Sequence, residues 1–393
     1  MITTLTTALV FSGSVALAEP TLQDDIESTL AGMAETALAA DIDAYLGHVW
    51  QGEPTLAQEQ WAWAIDLERI APTVLRYEII DGLDVVDDEV HADVRITWNT
   101  ENWTGADRVI DVPMRFVEQD GQWLYAGRQW SELDGDGVRV LYADGLGESA
   151  VRALDVWPGI KEMVESGFNR TLDEPLVIKM YTSMPELQFS IFASYVEPLG
   201  GWNEPMESIK LVGTSFSEGH LKGVLGHEYG HALTFSIAPP DVAVERAHAV
   251  PWWVHEGIAE LATQNYVPNR GRTQRVVEHW HRNENLQQWE NLTDFYTVDT
   301  SHYGHVYIQG RHMVSYINET FGQEARIGWI ESMMMGASLE EASEQTLGKA
   351  WSEVDADWRA SVEAAVAKSD AEKAAKEKAE AAKENSKSHD KGN

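Results

Sequence analysis

The chain has 393 residues, 44% of them hydrophobic, and its 29 basic and 64 acidic side chains give a net charge of −35. This length and hydrophobic content suffice for two domains with a sizeable core plus terminal extensions, whereas the acidity argues against nucleic-acid binding, because contacts to phosphates need a basic surface. Since the sequence contains no cysteine, a structural zinc site built on thiolates and a lipid anchor on a cysteine are both excluded.

The first 18 residues have the pattern of a secretory signal peptide. An apolar run covers residues 5–17, and Ala16-Leu17-Ala18 precedes Glu19, which is the small-x-small pattern of a cleavage site. Serine, threonine and glycine interrupt the short apolar run, and this favours a cleaved signal over a membrane helix. We therefore predict an exported protein, periplasmic or extracellular, without stable membrane insertion after cleavage.

Residues 19–135 have the pattern of a small α+β module. Apolar residues at helical spacing predict helical structure over residues 21–50. Strand signals follow at residues 73–80, 89–98, 108–117 and 122–130. Asp120-Gly121, between the last two, predicts a hairpin turn. A helix followed by a curved antiparallel sheet resembles the NTF2-like or cystatin-like modules.

A second domain is predicted over residues 136–366, after a flexible turn at residues 134–137. Its pattern gives a strand at 138–143, a helix at 147–167, a strand at 176–182 and an edge strand at 208–214. The remainder of the domain is largely helical. The tail, residues 367–393, is rich in alanine, lysine and glutamate and is expected to be a frayed helix or disordered.

The candidate metal-binding and catalytic residues lie in the predicted helix over residues 219–237, which ends before two prolines. His227 and His231 are four residues apart, so both imidazoles share a helix face and can bind one metal ion. Glu228 projects beside that ion and suits a general base for a water that the metal activates. Glycines at 223, 226 and 230 each cost roughly 1 kcal/mol against alanine, which predicts a close approach of this helix to a neighbour or a substrate.

A second helix, beginning at Pro251, offers a third ligand. Glu256 and Glu260 share one of its faces, and two histidines plus one carboxylate leave the fourth zinc position open, as a catalytic site requires. We favour Glu256 as the ligand and expect Glu260 to orient a ligand histidine. The elongated metzincin pattern is excluded, because Thr234 and Ile237 occupy its glycine and histidine positions.

Together these segments resemble the gluzincin clan of zinc metallopeptidases, and in particular the bacterial peptidase MA-like family. The motifs HEYGH, WWVHEGIAEL and YIQGRHMVSYINETFG carry the resemblance, which covers residues 138–335. It implies a gluzincin-type domain in which His227, His231 and Glu256 bind one zinc ion and Glu228 is the base. It also implies that a tyrosine stabilises the oxyanion, with Tyr307 the first choice and Tyr303 the second, and that the edge strand pairs with the substrate backbone.

The predicted function is that of an exported zinc-dependent endopeptidase acting on peptides or proteins. Two alternatives remain open: a catalytically silent binding or scaffold protein with a peptidase fold, and a zinc hydrolase that cleaves a non-protein amide or ester. Trp252 and Trp253 are expected to pack in the core, and His255 to pack or to support a ligand. The role of the N-terminal module and the oligomeric state stay open.

Overall fold

The structure is a computed structural model that describes residues 21–214, 217–263 and 270–389. It is a mixed α and β fold with two sheets and many helices. Contacts divide the chain into two compact units, the first formed by Met1–Gly52 and Ala64–Gln129 and the second by Glu53–Trp63 and Trp130–Asn393. The predicted signal peptide lies outside the described residues. No helix of the described ranges is both long and apolar enough to cross a membrane.

The first unit is an antiparallel sheet preceded by helices. Its elements are α1 (Leu22–Leu38), α2 (Ile42–Leu46), β1 (Pro72–Val86), β2 (Glu89–Thr100), β3 (Arg108–Gln119) and β4 (Gln122–Arg128), and the strand order is β1-β2-β3-β4. A capping box between Thr21 and Asp24 begins α1. The helix predicted over residues 21–50 is interrupted at Ala40, whose φ is 52°. Asp120 and Gly121 form the hairpin turn, both with positive φ.

The second unit contains a five-stranded mixed sheet in the order β5-β6-β7-β9-β8. Its strands are β5 (Ser131–Gly135), β6 (Val138–Tyr142), β7 (Leu176–Tyr181), β8 (Gly201–Trp202) and β9 (Ile209–Val212). The three central strands, β6, β7 and β9, are parallel, and β5 and β8 run antiparallel at the two edges.

The prediction of an edge strand at residues 208–214 was wrong. β9 lies between β7 and β8, so the edge position belongs to the two-residue strand β8. So short a strand, beginning with glycine, gives no alternating pattern from which it could be recognised in the sequence. The turn at residues 134–137 connects β5 and β6 within the second sheet, and the contact division falls before it, between Gln129 and Trp130.

Helices make up most of the second unit. They are α3 (Pro54–Ile65), α4 (Gly147–Phe168), α5 (Met184–Ile191), α6 (Glu218–Phe235), α7 (Pro240–Ala249), α8 (Trp252–Ala262), α9 (Arg270–Arg282), α10 (Tyr303–Phe321), α11 (Gln323–Met334), α12 (Leu339–Ala342) and α13 (Trp351–His389). Residues 53–63 of the α3 region group with this unit although the chain on both sides belongs to the first. The predicted tail continues α13 as far as His389.

A buried aromatic cluster holds α8 in the core of the second unit. Trp253 is fully buried, and its ring centroid lies 4.3 Å from that of Trp289 and 5.4 Å from that of Trp351. The expectation that Trp253 packs in the core is therefore confirmed. Because the rings of Trp289 and Trp351 pack against this side of α8, the rotation of the helix about its own axis is restricted.

A glycine contact brings α8 against α10. A Cβ atom added to Gly257 would lie 2.7 Å from the carbonyl carbon of Gly310, and one added to Gly310 would lie 2.6 Å from the carbonyl oxygen of Trp253. Both obstacles are backbone atoms, which cannot move aside as a side-chain end can. The two helices can therefore approach this closely only because both positions are glycine.

Replacing Gly257 by alanine is expected to lower the free energy of unfolding by about 1–3 kcal/mol, because the new methyl group forces α8 and α10 apart. Urea unfolding followed by circular dichroism measures the change. Gly219→Ala on α6 is the matched control, since an added Cβ meets nothing within 4 Å there. That variant should be neutral or slightly more stable. Equal midpoints for the two variants would contradict the packing argument.

Candidate metal centre

Local sequence places two histidines on one face of α6. Ser217 caps the helix by accepting a hydrogen bond from the His220 amide. The helix ends at Phe235, and Pro240 begins α7. Within α6 the side chains of His227 and His231 stand one turn apart, with ring centroids separated by 4.8 Å. Their Nε2 atoms are 3.2 Å from each other, so both point toward one location.

Helix α8 brings Glu256 to the same location. Its Oε2 atom lies 3.0 Å from Nε2 of His227 and 3.6 Å from Nε2 of His231. The approach of the two helices depends on Gly230, where an added Cβ would lie 3.1 Å from the Cα atom of Ala259. The glycine in the middle of the motif therefore has the close neighbour that its cost in helix stability predicted.

The donor set fits a zinc ion. Ligand atoms about 2.0–2.1 Å from a tetrahedral metal lie about 3.3 Å from one another, and the three separations here, 3.0, 3.2 and 3.6 Å, surround that value. Two imidazole nitrogens and one carboxylate oxygen leave one tetrahedral position for water or substrate, which is the composition of catalytic rather than structural zinc sites. Among the described residues, His227, His231 and Glu256 are the group of three that could hold a metal ion.

Electrostatics at the site favour a cation. Burial alone would lower the pKa of His227, but the hydrogen bond and charge of Glu256, with the charges of Glu228 and Glu260, raise it to about 9. Burial would raise the pKa of Glu256, yet the two histidines hold it well below its usual range. The buried carboxylates thus draw a positive charge into the site, and a divalent cation can supply it.

Neighbouring side chains orient the ligands. The indole nitrogen of Trp252 donates a hydrogen bond of 2.8 Å to Oε1 of Glu256, which leaves Oε2 to face the histidines. On the other side, Oε1 of Glu260 lies 3.6 Å from Nδ1 of His227, and its second oxygen lies 3.3 Å from the guanidinium of Arg311 on α10. Glu260 therefore stands where it was expected, and Trp252 packs in the core as expected and also contacts a candidate ligand. Such contacts fix the direction of a ligand before the metal binds.

Glu228 lies in the cavity next to the three candidate ligands. An added Cβ on Gly201 of β8 would lie 2.7 Å from Oε1 of Glu228, so the missing side chain at that position makes room for the carboxylate. Burial raises the pKa of Glu228, and the two histidines partly oppose this shift. A buried carboxylate with a raised pKa has the properties of a general base.

Both tyrosines proposed from the sequence line the same cavity. Both rings contact Trp252, Tyr303 at 5.1 Å and Tyr307 at 6.0 Å between ring centroids, and the ring of Tyr307 also lies 6.2 Å from that of His227. Burial and the charge of Glu256 raise the pKa of Tyr307 well above its usual value, so its hydroxyl keeps its proton. Tyr307 is therefore the better placed of the two to donate a hydrogen bond near the candidate ligands.

The cavity around these groups has a volume of about 660 Å³ and an aromatic, acidic lining. Trp202 and Phe295 contact each other at 5.9 Å between ring centroids, and Trp252 contacts Phe295 at 5.1 Å. Carboxylates beyond the metal centre also line it, and that of Glu204 has its pKa raised to about 8 by burial and by the charges of Glu207 and Glu256. The described lining contains no lysine or arginine.

Several cavity residues were missed by the sequence argument. They are Tyr195, Trp202, Asn203, Glu204 and Phe295. All of them lie in loops or in the two-residue strand β8, far along the chain from the histidine motif, so no spacing rule connects them to it. His302 and His305 are not among the described lining residues. His305 instead lies against Trp280, with ring centroids 3.9 Å apart, and contacts the Asn285 carbonyl.

Comparison with known proteins gives structural neighbours only. No protein-family model matches the sequence, and no curated protein matches it. Solved structures that are similar include an M1 zinc metallopeptidase from Deinococcus radiodurans, with 14% identity over 76% of this chain and 61% of that one, at a TM-score of 0.34.

A variant of a two-domain M1 zinc metallopeptidase bound to L-arginine has 13% identity, the same TM-score, and coverage of 76% and 62% of the two chains. A variant of the Deinococcus radiodurans enzyme bound to a Tyr-Ser-Ala substrate has 14% identity over 76% of this chain and 62% of its own, at a TM-score of 0.33. The chain thus spans about three-fifths of the length of these neighbours.

Trp252→Phe is expected to weaken zinc binding by roughly 10- to 100-fold, because Glu256 loses the hydrogen bond that directs its second oxygen at the histidines. Competition with a chromogenic chelator measures the affinity. Trp103→Phe is the control, since that indole donates to the Ala106 carbonyl in the first unit. Equal zinc affinity in the two variants would show that the Trp252 contact has no role in the site.

Proposed function

We propose that this protein is a zinc-dependent peptidase, exported and acting as an endopeptidase on peptides or proteins. The observation that carries the proposal is the convergence of His227, His231 and Glu256, with ligand atoms 3.0–3.6 Å apart, beside the buried carboxylate of Glu228. A site that only bound a metal for stability would need neither an open fourth position nor a base at its side.

In the proposed reaction His227, His231 and Glu256 hold the zinc ion. When bound, zinc polarises the scissile carbonyl and increases the acidity of water. Glu228 takes a proton from the attacking water as its oxygen forms a bond to the carbonyl carbon. Tyr307 donates a hydrogen bond to the oxygen on which negative charge develops. The carbon–nitrogen bond then breaks, and Glu228 passes its proton to the leaving amine, which completes the hydrolysis.

The lining of the cavity supports a preference among peptides. Aromatic rings of Trp202, Trp252 and Phe295 form one wall, and such a wall favours bulky apolar side chains close to the scissile bond. The carboxylates of Glu197 and Asp294, both exposed, line the cavity as well and repel acidic side chains. We therefore propose substrates that are apolar or basic near the cleavage site.

Glu228→Gln is expected to lower peptide cleavage by roughly 10²- to 10⁴-fold while the protein still binds zinc, because the amide cannot accept the proton of water. The measurement is cleavage of a diverse peptide library by the zinc-loaded protein without residues 1–18, with mass spectrometry of the products. Internal cuts beside bulky apolar residues are expected in the unmodified sequence. No cleavage by either protein, with zinc bound, would overturn the peptidase proposal in favour of a scaffold or a non-peptide substrate.

Tyr307→Phe is expected to lower kcat by about 10²- to 10³-fold with little change in zinc affinity, because the developing oxyanion loses its donor. Tyr303→Phe is the matched control on the same helix and in the same cavity. Its kcat should stay close to that of the unmodified enzyme. A large loss in Tyr303→Phe but not in Tyr307→Phe would exchange the two roles, and losses in neither would remove both residues from the mechanism.

A further inference from the structure

A buried cluster of four charged side chains lies in the second unit, apart from the metal centre. Lys179 on β7 and Lys210 on β9 are paired residues of adjacent parallel strands, so their side chains lie side by side on one face of the sheet. Glu59 of α3 accepts a hydrogen bond of 2.6 Å from Lys179 and lies 3.9 Å from Lys210. Glu207 accepts a hydrogen bond of 2.7 Å from Lys210. All four residues are at most 8% exposed.

Glu59 is what makes this arrangement of charges possible. Two lysines side by side on neighbouring strands repel each other, and burial strengthens the repulsion because it removes water. The carboxylate of Glu59 is a counter-charge for both. Burial would raise the pKa of Glu59, but the charges of Lys179 and Lys210 lower it below its usual value, so the group is ionised.

Glu59 also holds the backbone at the start of β9. Its Oε1 atom accepts a hydrogen bond of 3.2 Å from the Ser208 amide and another from the Ser208 hydroxyl. One residue earlier, the Glu207 carbonyl accepts a hydrogen bond of 3.2 Å from the side-chain amide of Asn203. Glu59 thus holds the end of the β8–β9 loop that precedes β9, and Asn203 ties the other end of the loop to Glu207.

The β8–β9 hairpin (residues 201–212) forms a wall of the cavity beside the metal centre. Trp202, Asn203 and Glu204 line the cavity. Gly201 packs against the carboxylate of Glu228, as its missing Cβ shows. The strands are joined by the pairs Gly201–Leu211 and Trp202–Lys210, so a shift of β9 moves β8 as well.

We propose that Glu59 is a positioning residue for the candidate active site: through Ser208 and Lys210 it holds the β8–β9 hairpin at the distance from Glu228 that peptide cleavage requires. Helix α3 then contributes to the function of the second unit, although the chain before and after residues 53–63 belongs to the first unit. The part of this inference that concerns activity rests on the proposed function.

Stability alone does not account for such a cluster. A buried ion pair often contributes no more to stability than apolar side chains of the same volume, because both charges lose their hydration. What distinguishes the charged cluster from apolar side chains is that its hydrogen bonds are directional, so each one fixes the position of its partner. A misplacement of about 1 Å near reacting groups can lower a rate by about 100-fold, so a wall that faces Glu228 gains from directional contacts.

The test compares Glu59→Gln with a double variant, Glu59→Met with Lys179→Met, which replaces the pair by apolar groups of similar volume and leaves Lys210 paired with Glu207. Glu53→Gln in the same region of the chain is the matched control. Three quantities are measured on the full chain: amide hydrogen exchange across the second unit, zinc affinity, and kcat/KM for a peptide selected from the library.

Both Glu59 variants are expected to exchange amide hydrogens faster over residues 201–212 than the unmodified protein, with α6 and α8 unchanged. Zinc affinity should also be unchanged, and kcat/KM should fall by about 10-fold or more. The control should match the unmodified protein in every measurement.

Unchanged exchange in the hairpin would overturn the proposal. Faster exchange throughout the second unit of the double variant would also overturn it, because that pattern would show a general loss of stability. A loosened hairpin with undiminished kcat/KM would overturn the positioning role. If the unmodified protein cleaves no peptide, the proposed function fails separately, and hydrogen exchange alone then decides whether Glu59 holds the hairpin.

Discussion

The close approach of α6 and α8 is the constraint on which the rest of the site depends. Two nitrogens from one helix and an oxygen from the other must lie about 3.3 Å apart to share a metal ion, and helices packed at an ordinary distance of 8–10 Å leave little tolerance for this. Gly230 permits the contact with Ala259, and Gly257 permits a similar contact of α8 with α10. The same three helices therefore supply the candidate ligands, the base and the tyrosine.

Negative charge is the second organising property of the site. Glu228, Glu256 and Glu260 lie within reach of His227 and raise its pKa, while Arg311 faces only the outer oxygen of Glu260. A cation bound between the two histidines and Glu256 would stabilise this arrangement of carboxylates. The cavity extends this pattern through the exposed carboxylates of Glu197 and Asp294. The overall net charge of −35 is thus accompanied by an excess of carboxylates at the site, where their charges act on a bound ligand.

The second unit is assembled from pieces that are not contiguous in the chain. Helix α3 lies before the sheet of the first unit in sequence, yet Glu59 accepts hydrogen bonds from β7 and from the start of β9, and the indole of Trp63 donates to the Phe189 carbonyl at 2.9 Å. A division of the sequence at a single point therefore separates residues that pack together. The β8–β9 hairpin beside Glu228 depends on contacts from three separate stretches of the chain. No continuous sequence motif contains these stretches.

The sequence by itself determined the local features of this protein. Helical periodicity places His227 and His231 on one face, the same rule places Glu256 and Glu260 on another, and proline and glycine mark where helices begin, end and approach one another. Strand alternation and the Asp120-Gly121 turn identified the antiparallel sheet of the first unit. Only the tertiary structure decided which strands form the edges of the second sheet, that Trp252 directs Glu256, and that Tyr195, Trp202 and Glu204 face the same cavity. The reason is physical: periodicity expresses the geometry of one element, whereas these contacts join loops and strands whose positions depend on the packing of the whole unit.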